Sequence, residues 1–75
     1  MEEKSLYPIL SSADLGRLIR NARNSAKFTQ QQFADLAGVG RRFLSECEAG
    51  KPSLDLSKVL LVIRAAGIDL YARPR

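Results

Sequence analysis

The sequence predicts a mainly α-helical protein, one compact domain of four helices followed by a short C-terminal β-strand. Three observations carry this. Apolar residues recur at three- and four-residue spacing in four separate segments. The middle two segments are short and are divided by Gly38-Val39-Gly40. Beyond Gly67 the period changes from helical to alternating.

Residues 1–10 contain Pro8 and no helical period, so they read as an extended arm. Its run Leu6-Tyr7-Pro8-Ile9-Leu10 is apolar enough to pack on something. Ser11 then stands three residues before Asp14, a capping-box-like start with aspartate in place of glutamate. Leu15, Leu18, Ile19, Ala22 and Ala26 follow at helical spacing, with Arg17, Arg20, Asn21 and Asn24 on the other face. This first helix is expected to end near Lys27.

Thr29-Gln30-Gln31-Gln32 forms a full capping box, opening a short helix with Phe33, Ala34, Leu36 and Ala37 apolar. Gly38 stops it, as a left-handed residue after a helix end. The next helical stretch runs from Arg41 to Glu48, and Gly50-Lys51-Pro52 breaks the chain. Ser53 is then the expected cap of a fourth helix carrying Leu54, Leu56, Val59, Leu60, Ile63 and Ala66. In the tail, Ile68, Leu70 and Ala72 alternate with Asp69, Tyr71 and Arg73, a strand pattern. The expected organisation is therefore an arm (1–10), a helical domain (11–67) and a strand (68–75).

A chain of 75 residues holds one small domain, and such domains bury only roughly 60% of their unfolded surface. Disulfides, metals or association usually supply the missing stability. Cys47 is the single cysteine, so no internal disulfide is available. Histidine is absent, which removes the ordinary zinc sites. Self-association is the remaining support.

The formal charge is +4, unevenly spread. Residues 1–16 carry Lys4 against Glu2, Glu3 and Asp14. Residues 17–51 carry Arg17, Arg20, Arg23, Lys27, Arg41, Arg42 and Lys51 against Asp35, Glu46 and Glu48. A basic middle favours a polyanionic partner, although a solvated basic surface has the same composition. The opening Met-Glu-Glu lacks the basic and apolar regions of a signal peptide, and the run Val59–Ile63 is too short to span a bilayer. A cytoplasmic protein with no membrane partner is expected.

Two short helices joined by a tight glycine-containing turn make a helix-turn-helix. Residues 30–48 fit that arrangement. Ala34 is small where the helices approach most nearly, Gly38 supplies the turn, and Val39, Leu44 and Cys47 point toward a core. Arg41, Arg42, Ser45 and Glu46 are left facing outward near the start of the second helix. Side chains there reach base edges when such a helix enters the major groove.

The stretch Thr29–Lys51, Thr-Gln-Gln-Gln-Phe-Ala-Asp-Leu-Ala-Gly-Val-Gly-Arg-Arg-Phe-Leu-Ser-Glu-Cys-Glu-Ala-Gly-Lys, resembles the Cro/C1-type (XRE) helix-turn-helix family. The likeness covers about residues 14–67. It implies a lambda-repressor-like fold of four to five helices that binds palindromic operator DNA as a homodimer. Two positions depart from the family. Gly40 stands where a capping serine or threonine is common, and Lys27 where a glycine often closes the first helix. The tail Gly67-Ile-Asp-Leu-Tyr-Ala-Arg73 resembles that of the HipB-type antitoxins, which pair this strand across a dimer and neutralise a HipA-type kinase toxin.

Arg41 and Arg42 are the foremost base-reading candidates, since arginine can bond guanine O6 and N7 in a bidentate fashion. A phosphate contact or a solvated helix face is the alternative for each. Ser45 and Glu46 lie one turn on; Glu46 could accept from cytosine N4 or pair with Arg42 at (i, i+4). Gln30 opens the second helix, whose free N–H groups suit a phosphate, and the resemblance implies the same role. Lys51 and Arg20 are further backbone-contact candidates. The resemblance implies that Arg23 and Glu48 form a structural ion pair between the first and third helices. Phe43 is read as packing on the second helix or a partner. Ile68, Leu70 and Tyr71 are the candidate dimerisation residues. Cys47 has no histidine to activate it and belongs to the core.

The favoured function is a DNA-binding transcriptional repressor that is also the antitoxin of a HipBA-like operon. The alternatives are a stand-alone or phage-type repressor without a toxin, and a protein-interaction module that masks a partner. No cofactor or metal is expected. An enzyme has no support: there is no histidine and no glycine-rich phosphate loop.

Overall fold

A computed structural model describes residues 6–75. The beginning of the expected arm, residues 1–5, lies outside the described residues, and residues 6–10 run without regular structure and are exposed. Four helices follow: α1 (Ser12–Ser25), α2 (Gln30–Ala37), α3 (Arg41–Glu48) and α4 (Leu56–Ala65). Helix α1 packs on α3, and α2 packs on both α3 and α4. The core between them is built on Ile19, Phe33, Leu44 and Val62, all essentially without exposure. Ala34, Ala37, Cys47, Val59 and Ile63 complete it.

Local chemistry accounts for the helix starts. The Ser11 hydroxyl accepts from the Asp14 N–H, and the Asp14 carboxylate accepts from the Leu10 N–H. The bond from the Leu10 amide, with the Arg17 charge beside it, holds the Asp14 carboxyl below its usual value. Thr29 and Gln32 make both bonds of the capping box. Helix α4 starts later than the expected Ser53 cap. Its cap is Asp55, whose Oδ1 accepts from both the N–H and the hydroxyl of Ser57. A carboxylate with two donors, at the positive end of a helix dipole, outcompetes a serine two residues earlier.

The crossing of α1 and α3 depends on a residue outside the expected apolar face. Gly16 is buried, and a β-carbon there would lie 2.5 Å from the Cys47 carbonyl oxygen and 2.8 Å from that of Glu48. The two backbones approach so closely that only glycine fits.

Leu56 and Leu60 belong to the apolar spacing that marks α4, and both are exposed. The inward face of α4 is filled by Val59, Val62 and Ile63, and one helix buries only a limited stripe. The strand expected over 68–75 is not formed: no described residue is in a β-ladder, and 68–75 carry no regular structure. A strand exists through hydrogen bonds to another strand, and the described chain holds no second one.

Every helix ends at a left-handed residue: Lys27 (φ 63°), Gly38, Gly50 and Gly67. After α1 the Lys27 N–H bonds the Asn24 carbonyl and the Phe28 N–H bonds the Arg23 carbonyl, a Schellman closure. Lysine is the exception in this set, and its β-carbon makes the conformation costly by about 1–2 kcal/mol. Lys27→Gly is expected to raise stability by up to about 1 kcal/mol once the greater freedom of glycine in the unfolded chain is subtracted. Urea denaturation would show a higher midpoint with an unchanged slope, and a lower midpoint would contradict the strain.

Candidate nucleic-acid interface

Helices α2 and α3 meet across a three-residue turn, Gly38-Val39-Gly40. The Gly38 and Val39 N–H groups both bond the Ala34 carbonyl, closing α2 and swinging the chain into α3. Val39 is half-buried against the core, and Ala34 has no exposure at the contact of the two helices. Gly40 begins α3 without any side-chain capping bond. The N-terminal N–H groups of α3 are therefore left without a side-chain cap.

Leu44 and Cys47 anchor α3 to the core, so its other face turns outward. Arg41 and Arg42 are exposed there, and the Arg42 side chain is 91% accessible. Ser45 and Glu46 are half-buried one turn on. Glu46 Oε2 lies 3.6 Å from Arg42 Nε and 3.3 Å from Lys51 Nζ, which ties the end of the helix to the following loop. Such exposed pairs contribute little stability and exchange readily for another anion. Arg41, Arg42, Ser45, Glu46 and Lys51 thus share one surface.

Behind that surface lies a polar contact in an otherwise apolar setting. The Glu48 side chain is 2% accessible. Arg23 Nε donates to its Oε2 at 2.6 Å and the second guanidinium nitrogen to Oε1 at 2.9 Å, a bidentate pair. Gln30 Nε2 donates to Oε1 at 3.1 Å, and Arg20 Nε stands 3.9 Å from the same oxygen. Arg23 also donates to the Phe28 carbonyl at 2.9 Å. Burial pushes the Glu48 carboxyl up, but the bonds from Arg23 and Gln30 and the two arginine charges outweigh it and hold it below its usual value. The bond to Glu48 raises Arg23 further. No buried side-chain nitrogen or oxygen among the described residues lacks a partner.

The Gln30 side chain is thus turned onto Glu48, while its backbone opens α2. The Cys47 thiol is pushed up to about 11 by burial, with the Glu48 and Glu46 charges adding to it, so it stays protonated and inert. Ile68 is half-buried on the core, whereas Leu70 and Tyr71 are exposed. Lys58 escaped the sequence reading: its Nζ stands 5.8 Å from the centre of the Phe43 ring, bringing a cation from α4 beside α3. Only tertiary packing brings these two residues together, so no spacing rule could have found them. No described helix is long and apolar enough to cross a membrane, and no described cluster of His, Cys, Asp or Glu could hold a metal ion.

A helix-turn-helix with a basic outward face on its second helix is the class this geometry defines. The sequence model of the helix-turn-helix domain matches residues 14–75. The chain belongs to that family, in its XRE-type branch. It is 42% identical over 66 residues to the HTH-type transcriptional regulator y4mF of Sinorhizobium fredii, covering 85% of this chain and 87% of the relative. Among solved structures, HipB in its O4 20mer complex has a TM-score of 0.81 at 16% identity, covering 92% of this chain and 97% of that one. The clp gene regulator ClgR of C. glutamicum has a TM-score of 0.68 at 27% identity, covering 89% and 85%.

Removing one partner of the buried pair leaves an uncompensated charge, so Glu48→Ala is expected to cost about 3–5 kcal/mol. Arg23→Met with Glu48→Leu removes both charges and should recover most of that loss in chemical denaturation. The lowered Glu48 carboxyl contributes stability that is present above its unfolded value and is lost as pH falls through the native one. The double variant should therefore lose less stability than the wild type on acidification. Equal acid sensitivity would contradict the ion-pair account.

Proposed function

We propose that this chain is a sequence-specific transcriptional repressor that reads a palindromic operator as a homodimer. The observation that supports it most is the exposed face of α3, where Arg41, Arg42, Ser45 and Glu46 stand together with Lys51 on a helix fixed from behind by Glu48. Arg41 and Arg42 read guanines, Ser45 and Glu46 add contacts one turn on, and Lys51 and the N-terminus of α2 at Gln30 hold phosphates. On approach of the duplex, the exposed Arg42–Glu46 and Lys51–Glu46 pairs give way to contacts with DNA.

The setting we propose is a HipBA-like toxin–antitoxin operon, in which the chain also neutralises a kinase toxin. The tail pattern Gly67–Arg73 supports this, as does the shared fold: a chain of the HipA–HipB–O2–O3 complex has a TM-score of 0.82 over 92% of this chain. A stand-alone repressor without a toxin is the second reading, favoured by the likeness to ClgR, which is named a gene regulator. A kinase-type reading frame beside this gene supports the first setting, and its absence the second.

Binding should be salt-sensitive, with half-sites about 34 Å apart or a multiple of that. Arg41→Ala or Arg42→Ala is expected to lose about 1–3 kcal/mol of discrimination at a guanine, while Lys51→Ala weakens all sequences alike. Binding-site selection followed by titration measures both. Full sequence preference in both arginine variants would overturn α3 as the reading helix.

A further inference from the structure

Among the described residues, Lys27 is the only one besides glycine to hold a positive φ, 63°, while the other three helices end at Gly38, Gly50 and Gly67. A lysine there stands in a conformation that favours glycine, and such outliers persist where the surroundings hold them and a function uses them. The holding contacts are specific. The Lys27 N–H bonds the Asn24 carbonyl, the Phe28 N–H bonds the Arg23 carbonyl, and Arg23 donates back to the Phe28 carbonyl at 2.9 Å. Arg23 is itself fixed on Glu48 at the end of α3, and Gln30 at the start of α2 donates to the same carboxylate. The turn that carries Lys27 is thereby tied to both helices of the helix-turn-helix. Lys27 is exposed, and it makes no ion pair among the described residues.

We propose that Lys27 is a contact to the DNA backbone, its ammonium neutralising a phosphate beside the one held at the start of α2. This contact presupposes the operator-binding reading above and extends its footprint to the turn between α1 and α2. Three features favour a phosphate. The group is an exposed cation with no ion-pair partner among the described residues. An ammonium is a compact point charge, suited to a phosphate and lacking the fork with which arginine reads guanine. The turn is fixed by its own hydrogen bonds three residues before Gln30, so the flexible lysine stem starts from a set point. The chain gives up stability at this turn, and a charge that acts once DNA is bound accounts for the loss. A cation near a helix C-terminus also suits the helix dipole, a role that acts on stability alone.

Titration of a selected operator duplex at several salt concentrations tests this. Lys27→Asn removes the charge but keeps a residue that tolerates a positive φ, and Lys27→Gly removes the charge and relieves the strain. Both are expected to bind operator and unrelated duplex about tenfold more weakly at low salt, with the ratio between the two unchanged. The slope of log affinity against log salt should become shallower by about one for each half-site. Lys27→Arg, which keeps the charge, should retain wild-type affinity and slope. The glycine variant is expected to be the more stable protein, so weaker binding by it does not come from unfolding. Wild-type affinity and slope in both neutral variants overturn the contact and leave the lysine as a charge on the helix dipole. A loss confined to one base pair overturns it too, because a phosphate contact carries no sequence information. A wild type that binds no duplex overturns the operator-binding reading itself, and the contact with it.

Discussion

The contact on which the rest of the structure depends is the ion pair of Arg23 and Glu48. It joins the last turn of α1 to the last residue of α3, and it draws in the loop through the Phe28 carbonyl and the start of α2 through Gln30. Three helices and one turn are thereby referred to a single carboxylate. Such a buried pair adds little net stability over a well-packed apolar replacement, because desolvating both charges offsets much of their attraction. What it fixes is position: a bidentate pair satisfies its bonds in one relative placement of the two helices. An apolar contact tolerates sliding. For a helix proposed to meet base edges with its outer side chains, fixed placement matters more than a larger stability.

The tight α1–α3 crossing serves the same end. Gly16 lets α1 come within contact distance of the Cys47 and Glu48 carbonyls, and Leu44 and Cys47 seat α3 on the core. The outer face of α3 is then held only by surface pairs, and Arg42 engages a single weak partner, Glu46. The uncapped start at Gly40 leaves the N–H groups of α3 near Arg41 and Arg42 open. A rigid inner face with a loosely engaged outer one suits a helix that exchanges solvent for a charged ligand.

Much of this was legible in the sequence because it is local. The Thr29–Gln32 capping box, the Gly38 turn and the bounds of α3 follow from residues within four positions of one another. The pairing of Arg23 with Glu48 spans 25 positions and was read only through family resemblance. The place of Gly16 depends on a helix crossing, and that of Lys58 on packing between α3 and α4, so neither leaves a local trace. Helix α4 carries leucines on its outer face as well as apolar residues on its inner one, so spacing alone does not say which of them are buried. The tail alternates like a strand, but pairing is a property of two segments, and one chain shows only half of it.

The most direct measurement is an amide chemical-shift titration of the isotope-labelled chain with a duplex recovered by selection from random sequence. A DNA-reading α3 predicts the largest changes at Arg41–Glu46, at Gln30 and Gln31, and at Lys51, with the α4 amides little moved. Changes centred on the outer face of α1 or on α4, or a selection that returns no preferred sequence, would contradict it.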